Sequence, residues 1–177
     1  MAILFCATFL KFDLSWTLLE YLIFVFGLVT ASFIDIDHMI LPDEFTLGGI
    51  VVGLIGASLN PEREFLPALI GVILGGGFLW AIAAIYSALR KQEGMGGGDI
   101  KLLGWIGAVL GWTSVPFVII SSSLVGSLVG LIIMAKFKKN LSHAIPFGPY
   151  LALGAILFML FGREISAAYI HLFIPSL

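Results

Sequence analysis

The chain has 177 residues, of which 60% are hydrophobic and 11% charged, with a net charge of −2 and a mean hydropathy of +1.11. Soluble domains carry about 25% charged residues, and surface-to-volume scaling leaves a soluble fold of this length unable to hide so much apolar surface. Disorder is excluded on the same grounds, the charge gives no electrostatic basis for binding nucleic acid, and the single cysteine, Cys6, excludes a disulfide framework or a multi-cysteine zinc site.

In chain order, Ala2–Phe12 is apolar but too short to span a bilayer alone, and it pairs with no preceding basic residue as a secretory signal would. Cys6 follows the bulky Phe5, where a lipoprotein signal places a small residue, and reads as a small buried hydrophobe. Trp16–Ile34 has spanning length, with Glu20 near one end; Phe45–Leu59 is shorter and rich in glycine. Leu66–Leu89 spans cleanly, Ile100–Trp112 is short, and Ser114–Ala135 spans with Pro116 tolerated in its first turn. Pro146–Phe161 and Ile165–Ile174 form a closing pair around Gly162-Arg163-Glu164. Apolar runs this long do not alternate as strands do. The expectation is an all-α polytopic transmembrane bundle of about seven to eight segments, a single domain over residues 1–177 embedded in a lipid bilayer.

Loop charges orient the bundle. Arg90, Lys91, Lys101, Lys136, Lys138 and Lys139 fall on one side, against Lys11, Arg63 and Arg163 on the other. Positive residues collect in the cytoplasm, so the turn from Asp35 to Glu44 and the loop before Ile100 face that compartment. Glycines at four-residue spacing (Gly71 and Gly75, Gly107 and Gly111, Gly126 and Gly130) suit close helix contact. No internal repeat is evident, which argues against an inverted-repeat transporter.

Two acidic clusters share the cytoplasmic level. In Asp35-Ile36-Asp37-His38, the two aspartates lie two residues apart and face different directions on a helix. Pro42 ends that helix between Asp37 and Leu41, and Asp43 and Glu44 then suit the start of the next, where the dipole favours acids. Asp37 and His38 on their own read as solvated interface. In Glu93-Gly94-Met95-Gly96-Gly97-Gly98-Asp99-Ile100-Lys101, the glycine run resists ordinary helix. It is either a linker or a place where another backbone approaches closely; it lacks the Gly-Lys-Ser/Thr ending of a phosphate loop. Asp35 ending one helix and Asp99 beginning an antiparallel one would bring two carboxyls face to face. Ionisable groups at membrane depth are functional hypotheses by default, and two carboxyls sharing a site hold one proton between them. One then draws a proton from water while the other protonates a carbonyl oxygen. Lys101, two residues beyond Asp99, points mostly elsewhere. His38, His143 and His171 form no ligand set by spacing, and no metal or other cofactor is expected.

These residues resemble a known family. Gly96-Gly97-Gly98-Asp99 matches the Gly-x-Gly-Asp motif of intramembrane aspartyl proteases, and the string from Gly94 to Leu102 resembles the prepilin peptidases, or type IV leader peptidases. Asp35 precedes Pro42-Asp43 by the six-residue gap of that family, which Asp37 does not, and Ile145-Pro146-Phe147-Gly148-Pro149 resembles a late motif. The resemblance implies an aspartyl endopeptidase of the bacterial inner membrane, with Asp35 and Asp99 catalytic and the site facing the cytoplasm. It would remove the basic leader of type IV prepilins or type II secretion pseudopilins by cutting after a glycine. Gly96, Gly97, Gly98, Lys101, Asp37 and Asp43 would bind substrate or support the site, and Asp37, Asp43, Glu44 and Glu93 would suit a basic leader. The amino-terminal zinc and methylation domain of many members has no counterpart in this chain, so neither zinc nor N-methylation is expected of it. The competing class is a proton-coupled transporter or channel using the paired carboxylates; the signal peptide peptidase and presenilin type pairs its motif with Tyr-Asp, whereas Ile34 precedes Asp35 here.

Overall fold

The computed structural model describes residues 1–91, 96–137 and 146–173. Among them are seven helices and no strand: α1 (Ala2–Phe12), α2 (Trp16–His38), α3 (Asp43–Leu59), α4 (Phe65–Arg90), α5 (Gly97–Leu110), α6 (Ser114–Phe137) and α7 (Gly148–Phe173). Three stretches, Trp16–His38, Phe65–Arg90 and Ser114–Lys136, are long and apolar enough to cross a membrane. Large apolar side chains such as Leu19, Phe26, Ile73, Trp80, Leu124 and Leu128 lie exposed along them. That is the surface of a helical membrane bundle, whose outer face needs no polar cover.

The centre is α5. Every residue from Leu102 to Val109 is buried, and α2, α3, α4, α6 and α7 all pack on this helix. Glycine makes the closest approach possible. A Cβ on Gly71 would strike the Gly107 carbonyl, one on Gly107 would strike that of Gly71, and one on Gly75 would lie 2.5 Å from the Leu103 carbonyl oxygen. The α4–α5 crossing is therefore backbone against backbone, as small-residue spacing predicts. Gly111 plays a different part: with φ of +79° it ends α5. Trp105 fills the space left by Gly27 and Gly49 and meets Phe24 edge to face at 5.3 Å.

Several elements differ from the sequence expectation. The two closing segments are one helix, α7, running through Gly162-Arg163-Glu164. A lone helical glycine costs about 1 kcal/mol, and arginine and glutamate are good helix formers, so nothing stops the helix there. Gly97 and Gly98 are already helical, the first turn of α5. Cys6 is exposed rather than buried, because α1 turns Thr8 to the bundle and packs through Leu4, Phe5 and Phe12.

The antiparallel order gathers the C-terminal ends of α2, α4 and α6 with the N-terminal ends of α3, α5 and α7. The opposite end holds its own polar network. Arg63 pairs with Glu20 at 2.5 Å and donates to the Ala108 carbonyl at 2.7 Å, Asn60 donates to Thr17 at 2.9 Å, and Lys11 pairs with Glu164 at 3.3 Å.

Candidate active site

Asp35 lies on the inward stripe of α2. Leu28, Ala31 and Asp35, spaced by three and four, are all buried, whereas Ile36, Asp37 and His38 are exposed. Helix periodicity thus separates the two aspartates: Asp35 is only 5% exposed, and Asp37 faces outward. The helix then stops abruptly. Met39 adopts the left-handed conformation with φ of 54°, its N–H donating to the Asp35 carbonyl at 2.8 Å. Pro42 sits at the cap of α3, with Asp43 and Glu44 in the first turn of that helix.

A buried carboxylate must find donors. The Asp35 Oδ2 accepts the backbone N–H of Gly148, at the first turn of α7, with a separation of 2.9 Å. The first amides of a helix have no partner within it, so α7 has a donor free for α2. The absent side chain matters as much as the amide. A Cβ on Gly148 would stand 2.7 Å from that same oxygen.

Asp99 is in the first turn of α5 and half-buried, its N–H donating to the Gly96 carbonyl at 3.2 Å. Gly98, the residue before Asp99, and Gly148, whose N–H holds Asp35, both lie against Leu41, so the fold sets the two aspartates in one neighbourhood. Leu41 stands between the two halves. It is buried, its Cβ is 2.7 Å from where a Cβ on Gly98 would stand, and its Cδ1 is 3.4 Å from where one on Gly148 would stand. Gly97 has nothing within 4 Å of such a position and opens outward.

Lys101 turns away from Asp99, as its spacing implies, and its Nζ pairs with Asp43 Oδ1 at 2.6 Å. This pair joins the first turns of α3 and α5. Asp43 is therefore neutralised locally, which weakens the expectation that it serves a basic leader. Glu44 and Asp37 are exposed at the same end. Glu93, Gly94 and Met95, together with Lys138, Lys139 and His143, lie outside the described residues. No group of three or more His, Cys, Asp or Glu side chains converges on a metal-sized space among the described residues.

Sequence reasoning singled out Asp35 and Asp99 as candidates and anticipated the direction of Lys101. It gave no role to Gly148 or Leu41. The Pro146-to-Pro149 motif was the available signal for the first; an ordinary leucine in a turn carries no signal at all. Two neighbouring carboxyls, one anchored by an amide and the other beside an open glycine backbone, are able to activate water and protonate a carbonyl oxygen between them.

Comparison with known proteins points the same way. Residues 22–131 match the model of the type IV leader peptidase family. A prepilin leader peptidase/N-methyltransferase of Stutzerimonas stutzeri is 37% identical over 160 residues, covering 90% of this chain and 55% of the relative. Proteins with the same description from Aeromonas hydrophila and Legionella pneumophila are 37% and 35% identical over 164 and 162 residues, each with 90% of this chain and 55% of the relative covered. The chain spans about half the length of these curated relatives. No solved structure matches it. Since the matched stretch takes in more than half of the chain, including Asp35, Leu41, Asp43, Asp99 and Lys101, this chain belongs to the type IV leader peptidase family.

Proposed function

We propose that this chain is a membrane-embedded aspartyl endopeptidase that removes the basic leader from type IV prepilins or type II secretion pseudopilins, cutting after a glycine. The observation that carries the reading is that Asp35, bonded to Gly148, and Asp99, next to Gly98, both border Leu41 at the end of the bundle where α3, α5 and α7 begin. One carboxylate takes a proton from water, whose oxygen attacks the scissile carbonyl carbon. The other carboxyl gives its proton to the carbonyl oxygen. Collapse of the tetrahedral intermediate breaks the C–N bond as the leaving amine is protonated, and the pair returns to its one-proton state. Gly96 and Gly97 leave room for a substrate backbone beside Asp99, and Lys101 with Asp43 holds two of the walls.

Loop charge supports a site on the cytoplasmic side, which the reading assigns to the bacterial inner membrane. The peptidase unit is a single domain, with no part assigned to zinc or to N-methyl transfer. Exposed Asp37 and Glu44 give the entrance an acidic rim suited to a basic leader.

The test is cleavage of a prepilin by the purified chain in detergent, beside Asp35→Asn, Asp99→Asn and Asp37→Asn. Asparagine keeps the shape of the side chain without sharing a proton. Cleavage by the parent and by Asp37→Asn, abolished in the other two with unfolding temperatures unchanged, is the expected result. Activity that survives either Asp35→Asn or Asp99→Asn rejects the proposal.

A further inference from the structure

We infer that Gly148 is a positioning residue for the reaction, its backbone N–H locking one oxygen of Asp35 so that only the other is offered to water and Asp99. The inference rests on the peptidase reading above and adds to it a division of labour between the two carboxyls.

The geometry carries it. Asp35 is a buried carboxylate, and among the described residues the hydrogen bond recorded for its side chain is the one from Gly148, at 2.9 Å. A single bond to one of two equivalent oxygens removes the freedom of the carboxyl group to turn over. Oδ2 becomes the anchored oxygen and Oδ1 the working one. The donor is itself rigid, because it belongs to the first turn of a long helix whose following residues, Leu151 and Ala152, are buried in the core. The bond also closes a 113-residue separation, so the orientation of Asp35 is fixed by a helix other than its own.

Glycine at this position also leaves the anchored oxygen its room. Any side chain at position 148 brings its Cβ to 2.7 Å from Oδ2 and 3.4 Å from Leu41 Cδ1. The Leu41 contact is ordinary packing, so the strain falls on Asp35, whose carboxyl group must turn out of its present position to admit a Cβ. The other carboxyl is held differently. Asp99 follows Gly97, whose missing side chain leaves open space, and its Oδ2 lies within ordinary contact distance of a Cβ position on Gly96. Asp35 is thus the fixed member of the pair and Asp99 the adaptable one. A hydrolytic centre gains from this asymmetry, because positioning of one reactant group removes orientational disorder from the chemical step.

The test separates the amide from the missing side chain. The full chain is made by cell-free translation into lipid nanodiscs as the parent, as Gly148→Ala, and with glycolic acid at position 148, which replaces the N–H by an ester oxygen and adds no bulk. The substrate is a synthetic peptide with a basic leader, a glycine at the cut and a hydrophobic segment. Infrared spectra with carboxyl-labelled aspartate, referenced to Asp35→Asn, isolate the Asp35 band. A charge-assisted hydrogen bond lost from one carboxylate oxygen should lower kcat about ten- to hundredfold. The expected result is that fall in the ester form, with KM unchanged, the folded state retained at the assay temperature and the Asp35 band shifted, and a fall at least as large in Gly148→Ala. An ester form that matches the parental kcat overturns the inference, whether or not the band shifts, and so does a loss of kcat with the band unmoved. A parent that cleaves nothing overturns the peptidase reading and takes this inference with it; a cleaving parent beside an equally active ester form overturns the inference alone.

Discussion

Replacing Gly98 by alanine should leave the fold nearly as stable as before and disable the site. The added Cβ would lie 2.7 Å from Leu41 Cβ, with Leu41 Cδ1 and Cγ at 3.3 and 3.4 Å. Carbon atoms pack at about 3.5–4.0 Å, so the two backbones must part by about 1 Å. The contact is with a Cβ, which moves only with its backbone, and no rotamer change of Leu41 relieves it. Overpacking of this kind costs about 1–3 kcal/mol, while alanine in place of a helical glycine returns about 1 kcal/mol. The net loss of stability is then about 0–2 kcal/mol. The displacement falls on the residue before Asp99, and a misplacement of about 1 Å costs about a hundredfold in rate. The assay is prepilin cleavage in detergent beside thermal unfolding, with Leu41→Ala/Gly98→Ala as companion. The double variant keeps the offending Cβ, so it should not recover activity. A Gly98→Ala enzyme cleaving at the parental rate would refute the claim that Leu41 sets the spacing of the two carboxyls.

Lys101→Met and Asp43→Asn should each lower kcat severalfold with little change in unfolding temperature, since a partly exposed ion pair contributes at most about 1 kcal/mol. The reversed pair, Lys101→Asp with Asp43→Lys, should regain activity over either single change, measured as kcat. Asp37→Asn with Glu44→Gln should raise KM for a basic-leader peptide and flatten its dependence on salt, with kcat held; equal KM values would remove the acidic rim from the account. Arg63→Met leaves Glu20 with its main partner gone at the far end of the bundle. Unfolding should cost about 3 kcal/mol less, while kcat per folded molecule stays at the parental value.

The periodic features were legible in the residues. Long apolar runs, Pro42 as a helix stop and the glycines of α4 and α5 follow from local rules, and each corresponds to an observed element or contact. The choice of Asp35 over Asp37 came from a motif spacing; the physical reason is the inward stripe of α2, which a run hydrophobic on nearly every side does not display. The start of α5 was misjudged because propensity alone treats glycine as a breaker, whereas Gly97 and Gly98 occupy a first turn packed beside Leu41. The break at Gly162 was misjudged for the opposite reason, a charged pair being taken for a turn when nothing in it prevents helix. Gly148 and Leu41 escaped because their parts are tertiary: one meets a residue 113 positions away, and the other owes its role to two glycines on different helices.

The long reach from Asp35 to Gly148 has a bearing on biogenesis. A nascent chain enters the membrane from its amino-terminal end, and both carboxylates precede the amide that steadies the first of them. While α7 is still within the ribosome, Asp35 has neither its donor nor the wall that excludes water from it. On the proposed reading, the pair of carboxyls is complete only once synthesis has passed residue 148 and α7 has joined α2.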